Sequence, residues 1–207
     1  MATSCSVAAG NNRVVSDNPG DAVTLTVGDY SIVVGTQPPD LLGHYLVHAG
    51  LVDNFPATDD PSSVGYSYVA IGTGDWPELV VTQHFSPAGG GFAPGVLFVP
   101  DKAALFIGAG SRLLGYHRGP AGEWRLTFVD EADMGFWAWR QHGDVVLMSA
   151  ELELAAWSTN GAKLWTTYVE PPWTYRLVGE DIHLDVMGKH SAFNKHTGPT
   201  RPSPAAT

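Results

Sequence analysis

Along this chain apolar residues alternate with polar ones over short runs, and glycine, proline, asparagine or aspartate separates each run from the next. That is the period-2 pattern of strands joined by turns. Residues 22–27 (AVTLTV) and 30–34 (YSIVV) predict a hairpin about Gly28 and Asp29, and 65–71 and 79–85 predict two more strands broken by GTGDWP. From residue 91 the runs come in sets. The first set covers 92–99, 104–107, 112–116 and 124–129, and the second 136–140, 145–149, 152–157 and 164–169. A third covers 173–178, 182–187 and 191–194, and no fourth run follows. One helix is predicted, with Asp40 as N-cap, Leu42, Tyr45, Leu46 and Ala49 on one face and Gly50 as its stop. An extended reading of GHYLVH fits too, since His44, Leu46 and His48 alternate with Tyr45 and Val47. Residues 53–63 read as a loop able to act as a flap, and 86–91 as loose chain.

The sets are copies of one another. Residues 104–124 lie over 145–165 without a gap at an offset of 41, matching Ala109 to Ala150, Leu113 to Leu154 and Trp124 to Trp165. Residues 143–161 lie over 180–198 at an offset of 37, matching Asp144 to Asp181, Leu147 to Leu184, Ala155 to Ala192 and Gly161 to Gly198. A period near 40 residues with four strands per unit predicts stacked meanders of the propeller-blade kind. The fold class is therefore all-β: repeated four-stranded antiparallel meanders in a small or incomplete β-propeller, with a closed β-barrel or β-sandwich as the alternative. Residues 1–20 read as a mobile arm, 21–198 as one β domain with units at 91–129, 135–169 and 173–198, and 199–207, with three prolines, as a disordered tail. The strand at 22–27 is expected to complete the last unit. Trp124 and Trp165 are expected to occupy equivalent core positions in two sheets.

Ala155, Gly161 and Trp165 have the Ala-x5-Gly-x3-Trp spacing of the quinoprotein-type propeller repeat, and Ala192, Thr197 and Gly198 resemble the same repeat cut short. The resemblance covers about half the chain and implies blade construction. Trp157 stands where that repeat has Asp, Pro120 displaces the glycine of the first unit, and Pro202 occupies the last tryptophan position. The ring of ligands that holds a quinone in that family has no counterpart here, so no cofactor is expected.

Composition narrows the function classes. The 207 residues carry 11 Lys and Arg against 21 Asp and Glu, a formal charge of −10, with no basic stripe to neutralise phosphates, so nucleic acid is not an expected partner. No apolar stretch approaches the ~20 residues of a membrane-spanning helix. Cys5 is the single cysteine and cannot form an internal bridge, and residues 1–12 lack a basic leader and an apolar run; a cytoplasmic location is expected.

Sharp catalytic signatures such as GxSxG, HExxH or a Walker loop are missing from the sequence. Four weaker sets remain. His44 and His48 share a face in either reading of their segment and make a metal pair lacking a third ligand, against a half-buried pair that simply hydrogen-bonds. Asp181, His183 and Asp185 alternate along DIHLDV on one strand face, either an acid–base or metal cluster or the solvated side of an outer strand. Glu151 and Glu153 sit in the apolar run AELELAAW, either facing outward or with one held inside as a general acid. Finally, in an up-and-down meander the turn between strands two and three lies at the same end as the link from strand four to the next unit. This brings Asp130, Glu131, Asp133, Glu151, Glu170 and an exposed Trp173 to one loop-built face. The expected function is a soluble binding or interaction module that uses this acidic, tryptophan-bearing face to recognise a protein or a small ligand. The alternative is a small-molecule isomerase, cyclase or hydrolase with an aromatic-lined cavity and His or Glu moving protons.

Overall fold

The computed structural model describes residues 22–56, 65–85 and 93–200, together with the backbone course of Ser6–Ala9 and Asn12–Val15. The strands in chain order are β1 (Ser6–Ala9), β2 (Asn12–Val15), β3 (Val23–Val27), β4 (Tyr30–Gly35), β5 (Leu51–Phe55), β6 (Gly65–Gly72) and β7 (Leu79–Phe85). After them come β8 (Gly95–Val99), β9 (Ala104–Ala109), β10 (Arg112–Arg118), β11 (Trp124–Glu131), β12 (Phe136–His142), β13 (Val145–Ala150), β14 (Glu153–Ser158) and β15 (Lys163–Tyr168). The last three are β16 (Trp173–Val178), β17 (Asp181–Val186) and β18 (Lys189–Asn194), and the helix α1 spans Leu42–His48.

They form four sheets, none closed into a barrel among the described residues: β3-β4-β6-β7-β5, then β11-β10-β9-β8-β1-β2, then β12-β13-β14-β15, then β16-β17-β18. Within these, β5 pairs with β7 and β1 with β8 in parallel, and every other pairing is antiparallel. The all-β, small or incomplete propeller-like arrangement follows from how the sheets face one another. Alternate residues of each strand enter different cores. Ile32, Ile71 and Val81 of the first sheet meet Phe98, Ile107 and Tyr116 of the second. Leu97, Phe106 and Leu113 on the other side of the second sheet meet Trp139, Met148 and Trp157 of the third. Leu147, Leu154 and Trp165 on the far side of the third meet Ile182, Leu184 and Phe193 of the fourth. The inner strands are buried on both faces, which is why ALFIGA and VVLMSA read as continuous apolar runs.

The two outward sides of this stack differ. On the first sheet Val33 and Ala70 lie opposite the core side, and Tyr45 of α1 stands over them across a cleft of about 70 Å³ shared with Trp76 and Pro77. On the fourth sheet the outward rows are Thr174–Asp185–His190 and Arg176–His183–Ala192. These carry charge where the inner rows carry Tyr175, Leu184 and Ile182.

Several expectations are corrected. The strand β3 pairs with β4 in the first sheet and does not complete the last unit. Its own hairpin partner lies two residues away, and a local pairing forms at a far smaller loop-closure cost than one across the whole chain. Residues 53–55 are not loop: with Leu51 they make β5, whose alternation the sequence hides because Asp53 faces inward and accepts a hydrogen bond from the Tyr116 hydroxyl at 2.8 Å. Burial and the nearby Asp53 carboxylate push the Tyr116 phenol above its ordinary value. Inside the stretch read as an arm, β1 and β2 extend the second sheet beyond β8. The helix is capped by Leu41 without a side-chain bond, so Asp40 is not the N-cap, and the extended reading of 43–48 is set aside. Residues 57–64, 86–92 and 201–207, with the flap, the loose segment and most of the tail, lie outside the described residues.

Trp124 and Trp165 are both buried, but in opposite directions. Trp124 lies in the core shared with the first sheet and Trp165 in the core shared with the fourth. The equivalent of Trp165 is Phe128, because Phe128 pairs with Gly115 as Trp165 pairs with Ala156, and Gly115 and Ala156 are 41 positions apart. Gly115 is required there: a Cβ would run into the Phe128 ring. The third copy is also shifted. Glu180 accepts from Lys195 N as Asp144 accepts from Thr159 N, an offset of 36, so Leu184 answers to Met148 and not to Leu147. The alignment at 37 is right only at the Gly161 and Gly198 turn, and a one-residue slip moves every strand position to the wrong face.

Candidate functional site

The link after each fourth strand does return to the turn of its neighbour. Ala132 and Phe136 donate their N–H to Ser111 and Gly110 carbonyls, both at 2.7 Å, fixing the first link against the β9–β10 turn. Glu151 and Leu152 donate to Gly135 and Asp133 at 3.3 Å, tying the same link to the β13–β14 turn. The second link follows, with Val169 N donating to Leu152 O at 3.0 Å and Met187 N to Pro172 O at 2.9 Å. One end of the stack is thus a row of turns in mutual contact, and Asp130, Glu131, Asp133, Glu151, Glu170 and Trp173 all lie along it.

Their settings differ. Glu131, Asp133 and Glu170 are exposed, and Glu151 is half-buried in the turn itself. Among the described residues none of these four carboxylates forms an ion pair. Asp130 is half-buried and paired with Lys163 at 2.8 Å. Lys163 also lies 3.6 Å from Glu153 and 5.0 Å above the Trp157 ring. Arg112, opposite Glu131 in register and acted on by its charge, donates to His84 and Pro56 carbonyls at 3.3 and 3.2 Å. Lys163 offsets Asp130 and Arg112 lies within reach of the Glu131 charge, so these two cations face five carboxylates and the end is left with an excess of negative charge.

Trp173 is not the exposed contact expected. It is half-buried, its ring flat against Trp137 at 5.4 Å and 5°, and its indole N–H donates to Glu151 O at 3.1 Å. Only part of it is offered to solvent. Glu153 is the buried member of the AELEL pair, facing the second sheet. It accepts from Asp133 N at 3.1 Å and Thr166 Oγ1 at 2.6 Å, so it is held as a structural acceptor.

The remaining sets stay apart. Asp181, His183 and Asp185 do share a face, the outward side of the fourth sheet, where Asp185 accepts from Gly188 N at 2.8 Å and meets His190 at 3.5 Å. His44 and His48 are exposed on α1, with His48 stacked on Trp76 at 4.4 Å. Among the described residues no three His, Cys, Asp or Glu side chains gather as metal ligands.

Sequence reading missed two charge clusters. Glu78 accepts from Arg118 Nε at 2.6 Å, Trp124 Nε1 at 3.0 Å and Thr73 Oγ1 at 2.7 Å, joining the first two sheets. At the end opposite the acidic one, Lys195 donates to Glu180 at 3.0 Å and His196 Nε2 lies 3.0 Å from Asp144. That hydrogen bond holds the Asp144 carboxyl below its ordinary value. These partners are 15 to 52 positions apart, too distant for any local pattern to join them. No protein-family model matches the chain, and no curated protein matches it. No helix among the described residues is long and apolar enough to cross a membrane.

Proposed function

We propose that the chain is a binding module built of blade-like units of the quinoprotein kind, and that its acidic end takes a basic segment of a protein partner. The observation that carries this is the set of four carboxylates without ion pairs, Glu131, Asp133, Glu151 and Glu170, on adjoining turns that hydrogen bonds hold together. Fixed like charges at one edge of a rigid scaffold raise the local concentration of a cationic partner and orient it. The half-buried Trp173–Trp137 pair supplies an apolar, planar surface beside them. A lysine- and arginine-rich peptide titrated against the chain at several salt concentrations tests the reading. Association should slow at least tenfold between 50 and 500 mM salt, on the order expected for screened charges, and the E131Q/D133N/E170Q variant should lose most of that salt dependence. Binding that the triple variant leaves unchanged would overturn it.

A small-molecule enzyme is the second reading, and His142 favours it. Its Nε2 is buried without a partner, its ring stands edge-on to Tyr175 at 6.2 Å, and burial lowers its pKa, giving a neutral imidazole beside an aromatic strip. An NMR titration in which the His142 resonances respond to no member of a metabolite-sized compound set, while the basic peptide binds, removes this reading.

A further inference from the structure

The fourth sheet stops one strand short of its neighbours: β11 lies beyond β10 and β15 beyond β14, whereas among the described residues β18 pairs with β17 alone. Lys189, His190, Ser191 and Ala192 of β18 are all exposed. The outermost strands β11 and β15 are each bulged, since the register of their ladders skips Thr127 and Leu164. A bulge is one of the devices that keep an edge from pairing further. β18 has none, and it pairs residue for residue from Lys189 to Asn194 without a proline. It is built as an inner strand, in the place that β10 and β14 hold in their sheets. Along the next place runs a slot of about 700 Å³, walled by β15 and by Thr197, Pro199 and Thr200.

The edge has a definite polarity. β17 and β18 are joined by a two-residue turn, Met187 and Gly188, with φ of 54° and 80°. Such a turn makes the closing pair, Val186 and Lys189, a hydrogen-bonded one, and the alternation then runs through Leu184–Ser191 and Ile182–Phe193. His190 and Ala192 therefore turn their N–H and C=O to the free edge, and Asn194 turns its N–H. Two observed bonds agree: Lys195 N donates inward to Glu180 O, and Asn194 O accepts from Gly198 N on the edge side, both at 2.9 Å.

A second copy of the chain does not fit this edge. The third sheet reaches one strand further than β18, so an antiparallel pairing of β18 with its twin would set β15 of each copy where β14 of the other stands. The place admits an extended segment one strand wide. We infer that it takes such a segment from a protein partner, antiparallel to β18 as β11 is to β10 and β15 to β14, with aliphatic residues inward and basic residues outward. The inward residues, opposite Ser191 and Phe193, face Trp165 and Thr167. Lys189 stands on the same inward side and disfavours a cation there. The outward residues fall opposite His190, Ala192 and Asn194, in rows of which two carry Asp185 and Asp181. Arg176 is in the middle row, on the strand furthest from the edge. Run antiparallel, the segment leaves by its C-terminal end past the Met187 and Gly188 turn, which the bond from Met187 N to Pro172 O holds to the acidic end. The inference rests on the basic partner proposed above and gives that partner its conformation.

A peptide of alternating lysine and valine tests this on the full chain in three forms: unmodified, with backbone N-methyl groups at every lysine, and with them at every valine. In the stated register the lysines lie opposite His190, Ala192 and Asn194 and direct their N–H to β18, while the valine N–H groups point away. Hydrogen exchange read by NMR should find the amides of His190 and Ala192 open in the chain alone and at least tenfold slower at saturating unmodified peptide. Methylation at lysine should weaken binding at least tenfold, the order expected for the loss of two or more backbone hydrogen bonds, and methylation at valine should leave it unchanged. Equal effects of the two methylations, the reverse order, or amides already protected in the chain alone overturn the assignment. Where all three forms bind alike and E131Q/D133N/E170Q still removes the salt dependence, the added strand is wrong and the acidic end stands as the site; where no form binds, both readings fall.

Discussion

At the scale of single residues, the tryptophans show how much a type and a spacing reveal. Trp124→Ala and Trp165→Ala should each cost ~3 to 5 kcal/mol in chemical denaturation, as large buried aromatics do, because both indoles are sealed and their N–H groups are satisfied, by Glu78 and by the Lys195 carbonyl. Their burial was legible from the matched tryptophan positions of the two aligned units. Their direction was not, since the β10–β11 turn is longer than the β14–β15 turn and an ungapped alignment cannot register it. Phe128, the true counterpart of Trp165, carries no conspicuous pattern and is recognised by the glycine it covers. Gly115→Ala should accordingly cost ~1 to 3 kcal/mol through overpacking, and Phe128→Ala in the same chain should make that added methyl nearly neutral, a double-mutant cycle read by the same denaturation.

Between elements the decisive contacts are charged and distant in sequence. Burial raises the pKa of Glu78, but bonds from Thr73, Arg118 and Trp124 and the charge of Arg118 outweigh it, leaving the carboxyl below its ordinary 4.5. A depressed folded pKa means that the stabilisation is complete above that ordinary value and is lost as pH falls through the lower folded one. The parent should therefore lose stability more steeply than Glu78→Gln on the acid side of 4.5, with the two curves converging at low pH. Near neutrality the variant should be less stable by ~1 to 3 kcal/mol, the usual range for hydrogen bonds to a charged group. Melting curves from pH 3 to 7 check both statements. Strand existence at this scale was legible wherever period-2 alternation was clean, as in 173–178. It failed at β5, where Asp53 takes an inward position and finds its partner in Tyr116, 63 positions away.

Across the whole molecule each sheet packs on its sequence neighbours, so stability should be distributed as in a linear array of coupled units. The fourth sheet has one neighbour and the third has two. Amides of β17 should exchange through a partial opening at lower free energy than those of β13, which should exchange only with global unfolding. Identical values for both would mean that the array behaves as one unit. The all-β class and the blade-like units were legible because the repeat is written in the chain. The convergence of the acidic turns was legible too, since it follows from meander topology alone. The union of the β3–β4 hairpin with β6, β7 and β5 was not, because nothing repeats in that part of the chain.

An open pile of sheets whose two outward sides differ is a unit that could add to itself head to tail without limit, the arrangement that yields filaments. The roof of Tyr45 and α1 on the first sheet and the Asp181, Arg176 and Asp185 rows on the last make those two sides poor mates: one is shielded by a helix and the other is wet with charge. Replacing Arg176, His183 and Asp185 with leucine would make the last side greasy and leave the fold's inner packing alone, and such a chain should polymerise on standing where the parent stays dispersed.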